Sequence, residues 1–139
     1  MISLKSHYGL KAIIALASNY GKGPVQAKEI ASSQGVPVRY LELLLSQLRR
    51  ARLVEATRGK NGGYVLAKDP RIVTVWDVVS IFEGKALFSK PLDEGKKEKE
   101  NGISFVWKGA EDKLVDYLAS IKMTDLLEKI RSGKQMYFI

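Results

Sequence analysis

The chain has 139 residues, and 45% of them are apolar, enough for one cored domain or one domain with an appended arm. It has no cysteine and a single histidine, His7, which excludes disulfides, thiolate-held iron–sulfur clusters and a histidine metal site. The formal charge of +8 is unevenly placed: residues 1–65 carry +7, with ten Lys/Arg against Glu29, Glu42 and Glu55, and residues 66–139 carry +1. A basic first half and a near-neutral second half fit a nucleic-acid-binding unit followed by an assembly or sensing region, although ribosome-type or membrane-surface basicity would give the same figure. No apolar run approaches the roughly eighteen residues of a membrane span, and no basic-then-apolar leader opens the chain, so the expected location is the cytoplasm.

Residues 3–20 read as a helix with a buried stripe of Leu4, Leu10, Ile13, Ile14, Leu16 and Ala17. Lys5, Ser6, His7 and Tyr8 cluster in its first turn, where a helix end can anchor phosphates, or can equally be a plain surface turn. Residues 21–24, Gly-Lys-Gly-Pro, break the pattern, and a short helix over 27–34 points Ile30 and Ala31 inward. Gly35 supplies a bend, and Pro37 stands where a first-turn proline is tolerated.

The next helix repeats leucine at 41, 44, 45 and 48, which predicts one buried face. Its opposite arc holds Arg39, Glu42, Leu43, Ser46 and Arg49. Arginine can fork onto guanine, and a carboxylate can accept from the cytosine amine, so such an arc can read base edges. An amphipathic helix with a solvated polar face has the same pattern. The following turn favours the first reading. Two β-prone runs, 53–57 and 64–67, flank Arg58-Gly59-Lys60-Asn61-Gly62-Gly63. The Asn-Gly-Gly run predicts the positive φ values of a tight hairpin, with Arg58 and Lys60 on a protruding tip. A β-turn needs the glycines but not the two cations, and an arginine so placed can enter a minor groove.

Thr74 and Asp77 predict a capping box opening a helix over 75–83, with Val75, Val78, Val79 and Phe82 on one side and Trp76 either in the core, the default, or at an interface. Residues 90–101 are charged and poor in apolar side chains, which reads as a mobile loop. An amphipathic helix follows over 105–121, with Val106, Trp107, Ala110, Leu114, Leu118 and Ile121 on its stripe, then a short closing helix over 123–130. So long a striped helix beside a small domain has few surfaces to cover, and pairing with a second copy would cover it. The chain closes on Tyr137, Phe138 and Ile139, either folded onto the dimer or captured by a partner pocket.

The resulting fold class is mostly α with a small β-hairpin wing: a winged helix-turn-helix over 1–84, a mobile loop over 85–103, dimerisation helices over 104–132 and a tail over 133–139. The stretches HYGLKAIIALA, KEIASSQGVPVRYLELLLSQLRRARLV, TRGKNGGYVLA and TVWDVVSIFEG resemble, in order and spacing, the IscR/NsrR/CymR-type winged-helix regulators of bacteria. The resemblance implies a non-enzymatic homodimer that represses from a pseudo-palindromic operator on double-stranded DNA. It implies that Tyr40 and Glu42 read bases, that Arg58 enters the minor groove, and that Lys5 to Tyr8 touch phosphates; Lys60, Asn61 and Gly62 of the same turn are candidate contacts from the turn itself. Leu43 departs from the pattern, which often has glutamine there. Many members hold an iron–sulfur cluster on three cysteines before the long helix; this chain has none, so no cofactor is expected. The cluster-free repressors of cysteine metabolism are the nearest in kind, and they act with cysteine synthase, whose active site accepts a partner's terminal isoleucine. That implies docking through Tyr137, Phe138 and Ile139. The alternatives are a regulator answering another small-molecule signal, or a winged domain used only for protein contact.

Overall fold

The first helix, α1 (Leu4–Ser18), is opened by Ser3, whose side chain accepts from the Ser6 backbone N–H. The computed structural model describes residues 2–84 and 102–136. The α1 stripe is rotated from the expected one. Ser6, Gly9, Ala12, Ile13, Leu16 and Ala17 face inward, Leu10 and Ile14 are half-buried, and Leu4 is 60% exposed. The reason is close packing rather than hydrophobicity. A methyl group on Gly9 would lie 2.3 Å from the Phe82 ring, so small residues line the approach to the later helix.

Helix α2 (Ala27–Gln34) buries Ile30 and Ala31, and Gly35 ends it in the left-handed conformation, φ +67°. Helix α3 (Val38–Arg50) follows, with Pro37 at its N-cap, one place earlier than a first-turn proline. Leu41, Leu44, Leu45 and Leu48 are fully buried, as their spacing predicts. Strands β1 (Val54–Thr57) and β2 (Gly63–Leu66) pair antiparallel, Val54 opposite Leu66 and Thr57 opposite Gly63. The first strand starts one residue later than the expected run and ends where expected, and the second is shifted one residue earlier. Tyr64 also exchanges two backbone hydrogen bonds with Val25, at 2.8 and 2.9 Å, which ties the α1–α2 connection to the hairpin.

Helix α4 (Val75–Glu83) is opened by the expected capping box: Thr74 accepts from the Asp77 N–H, and the Asp77 carboxylate accepts from the Thr74 N–H. Val75, Val78 and Val79 are buried, while Phe82 and Trp76 are half-buried against the core. Helix α5 (Ile103–Ser120) then packs on α4, and α6 (Met123–Met136) returns to pack on α1. The turn between them is clamped: Val75 N–H donates to Ile121 O, Met123 N–H donates to Val73 O, and Met123 is fully buried. Helix α6 runs beyond the expected end at 130 and takes in the first residues assigned to the tail. Nothing between 130 and 136 carries the Gly-Pro signature that would stop it, since Gly133 alone is a weak breaker. Helix α5 has no buried residue at all: Val106 and Ala110 of its stripe are exposed, and Leu114 and Leu118 are half-buried. The mobile-loop assignment at 90–101 and the side chains of Tyr137, Phe138 and Ile139 lie outside the described residues.

Candidate nucleic-acid interface

Helix α3 is held from behind. Four leucines with no solvent exposure anchor α3, each worth about 1.5–3 kcal/mol of burial. Its front is therefore fixed in direction. Arg39, Glu42, Leu43 and Arg49 are exposed, and Ser46 is half-buried, its hydroxyl 3.3 Å from the donating Arg50 guanidinium. Leu43 is 52% exposed, an apolar side chain in a position to meet a thymine methyl. Tyr40 is turned toward the body instead: its ring meets Tyr8 edge-on, centroids 5.6 Å apart at 80°. Tyr40 thus joins α3 to α1 rather than standing wholly on the outward arc.

The end of α3 is closed by backbone geometry that the sequence does not announce. Leu53 N–H donates to Leu48 O and Arg52 N–H to Arg49 O, and Arg52 takes φ +63°, a position glycine normally fills. An arginine there costs about 1 kcal/mol or more. It is retained beside Arg49 on the wall of a cavity of about 440 Å³ that Val54, Glu55 and Ala56 also line. Sequence reasoning missed Arg52 as a neighbour of Arg49 on this surface, and the only available signal was the run of cations 49, 50 and 52.

The wing tip is exposed at Arg58, Gly59, Lys60 and Asn61. Its turn differs from the Asn-Gly-Gly expectation. Positive φ falls on Gly59 (+110°) and Gly63 (+152°), not on Asn61, and Gly62 N–H donates to Gly59 O at 3.0 Å. Gly62 is buried, so its assignment as a DNA contact is withdrawn; its need for glycine is steric, because a methyl group there would lie 2.2 Å from Thr57 O. Among the described residues, no carboxylate pairs with Arg39, Arg49, Arg58 or Lys60. These cations are left facing solvent, as phosphate- or base-contacting groups must be before binding.

In the first turn of α1, Lys5 and His7 are exposed and Tyr8 is half-buried. Lys11 Nζ lies 5.8 Å above the Tyr8 ring and donates to Gln34 O at 3.2 Å, tying α1 to the end of α2. Ser6 is the exception and a correction to the expected phosphate set. It has no exposure, and its hydroxyl donates to Glu83 Oε2. The same oxygen accepts from the Ser3 hydroxyl and, at 3.0 Å, from the Ser3 N–H. Burial pushes the Glu83 carboxyl up, but the bonds from Ser3 and Ser6 outweigh it and hold the group below its ordinary value. Glu83 was not foreseen, because 77 residues separate it from Ser6.

Among the described residues, no group of three or more His, Cys, Asp or Glu could hold a metal. No described helix is long and apolar enough to cross a membrane.

Residues 2–129 match the family model Rrf2, described as an iron-dependent transcriptional regulator. The chain is 34% identical over 136 residues to the HTH-type transcriptional regulator CymR of Bacillus subtilis, covering 98% of this chain and 96% of that one. The solved structure of CymR, titled the global cysteine regulator of B. subtilis, superposes with a TM-score of 0.77 at 35% identity, over 93% of this chain and 97% of that one. The T. potens IscR structure gives the same TM-score and identity over 99% and 96%.

Proposed function

The chain belongs to the Rrf2 family of DNA-binding transcriptional regulators, not enzymes, and we propose that it is a homodimeric repressor acting on a pseudo-palindromic operator in the cytoplasm. The observation that carries this reading is the exposed arc of α3, with Arg39, Glu42, Leu43 and Arg49 outward over four fully buried leucines. Beside it stands a glycine-shaped wing whose Arg58 and Lys60 no described carboxylate neutralises. In this reading α3 enters a major groove, Arg58 enters the adjoining minor groove, and Lys5, His7 and Tyr8 meet phosphates. Asn61 and Ser46 offer further polar contacts. Residues 1–84 form the DNA-binding unit and the two last helices the dimerisation unit.

Dimerisation is supported by α5. It has no fully buried residue, only Leu114, Val115 and Leu118 of its length packing against the core, and it leaves Phe105 82%, Val106 56% and Tyr117 63% exposed. A second copy crossing this face would cover it and supply the two-fold arrangement that a palindrome requires.

The family description is iron-dependent, but the donor set here does not fit a thiolate-held cluster. The sequence has no cysteine, and its one histidine is the exposed His7. We therefore assign no cofactor. The relative titled a global cysteine regulator supports a role in cysteine metabolism; cysteine synthase as partner through Tyr137, Phe138 and Ile139 is a further part of the proposal and rests on the terminal sequence alone. Deleting Ile139 is expected to abolish capture by cysteine synthase and leave the dimer intact; equal capture by the shortened chain removes the partner assignment.

The test of the whole reading is selection from random duplexes, with and without cysteine synthase, followed by binding at two salt concentrations. The expected result is one enriched palindromic site and a steep loss of affinity with salt. Enrichment of no site defeats it, and binding only to protein partners would favour the wing as a protein-contact surface.

A further inference from the structure

We infer that Glu83 is a positioning residue for DNA binding: from the last turn of α4 its carboxylate sets the phosphate-facing first turn of α1. The inference rests on the DNA-binding reading and goes beyond it, since Glu83 is not among the residues that reading sets against DNA. One carboxylate oxygen, Oε2, collects the Ser3 N–H, the Ser3 hydroxyl and the Ser6 hydroxyl. Ser3 is the N-cap of α1 and Ser6 lies in its first turn, so these three bonds fix both where the helix starts and how it is rotated. A carboxylate at that end is also favoured by the helix dipole.

Ser6 makes the arrangement specific. A hydroxyl with no exposure is costly unless it is bonded, and Glu83 is its acceptor. Lys5 and His7 flank Ser6 in the chain and are exposed on either side of it. With Ser6 pinned inward, their directions are set. From the other side, Tyr8 rests on Tyr40 of α3, at 5.6 Å, and under Lys11, at 5.8 Å. The first turn of α1 is therefore held between α4 and the reading helix, and phosphate contacts and base contacts share one frame. Gly9 lets α4 come close enough for the bond, since anything larger would meet Phe82, one residue before Glu83. Removing the carboxylate frees the turn without removing any group that touches DNA.

The experiment measures binding of the full chain to its selected duplex across a salt series. The variants are Glu83→Ala, Glu83→Gln, Lys5→Ala, Arg58→Ala and the doubles of Glu83→Ala with each of the last two. The expected result is about a tenfold loss for Glu83→Ala, with the log–log salt slope reduced by about one contact's share. Glu83→Gln, which keeps an acceptor oxygen, recovers most of the affinity. On a Lys5→Ala background the Glu83→Ala loss shrinks, because the contact it positions is gone; on an Arg58→Ala background it stays whole. Full affinity in Glu83→Ala, or a loss that adds fully to that of Lys5→Ala, overturns the assignment. If Glu83→Ala is too little folded to assay, Ser6→Ala removes one donor only and must show the same pattern at smaller size; an unchanged slope in that variant is equally fatal. A wild-type chain that selects no duplex defeats the DNA-binding reading itself, and this inference with it, which is a different failure from a silent Glu83 variant.

Discussion

Gly63→Ala tests how the wing is held. Gly63 has φ +152°, and a methyl group there would lie 2.6 Å from Val25 O and 2.7 Å from Val25 C, both backbone atoms. Val25 is locked to Tyr64 by two hydrogen bonds, 2.8 and 2.9 Å long, and it cannot yield without breaking them. Two such bonds are worth about 1 kcal/mol each, and the unfavourable φ adds about 1–3 kcal/mol. Gly59→Ala is the control, because Gly59 has φ +110° but nothing within 4 Å of its missing methyl. Both variants bear the backbone strain, and only Gly63→Ala bears the clash. The expected difference between them is about 2 kcal/mol, or roughly 5–10 °C in thermal midpoint for a chain of this size. Circular dichroism melts of the two variants measure it. Equal midpoints would show that the Val25–Tyr64 bridge does not fasten the hairpin.

Phe105→Glu places a charge on the exposed face of α5 and is expected to convert the proposed dimer to monomer in sedimentation, with little change in monomer melting; a dimeric mass kept by the variant would remove α5 as the interface, and a monomeric wild type would remove the dimer itself. Stability should fall in acid in part through Glu83. Its carboxyl is held below the ordinary value when folded, so it contributes above that value and the contribution is lost as pH falls through the depressed one. Melts from pH 7 downward should therefore be flatter for Glu83→Gln than for wild type, and parallel profiles would remove Glu83 from the acid response. Thr74→Ala removes one arm of the capping box and is expected to cost about 0.5–2 kcal/mol in denaturant titration.

What could be read from the sequence was what the chain settles locally. The leucines of α3, the bounds of α2 and α4, and the Thr74–Asp77 box depend on spacings of a few residues, and the structure has each as expected. What escaped depends on distant parts meeting. Ser6 was read as an outward polar residue because its acceptor, Glu83, lies 77 positions away. Leu4 was placed inside because apolar periodicity cannot see that Ser6 and Gly9 are the small residues over which α4 packs. Gly62 was read as part of a surface tip because composition shows a glycine-rich turn but not which glycine is pressed against Thr57. The bridge between Thr74 and Lys122, which seats the α5–α6 turn, has no sequence signal of its own.

The claim on which the rest depends is that α3 and the wing act together on one duplex. The most direct measurement is the affinity of wild type and Arg58→Ala for the selected duplex and for a scrambled one, at one salt concentration. Arg58→Ala is expected to weaken specific binding by about 1–3 kcal/mol and to narrow the gap between the two duplexes. Equal affinity of both proteins for the selected duplex, with that gap unchanged, would contradict it.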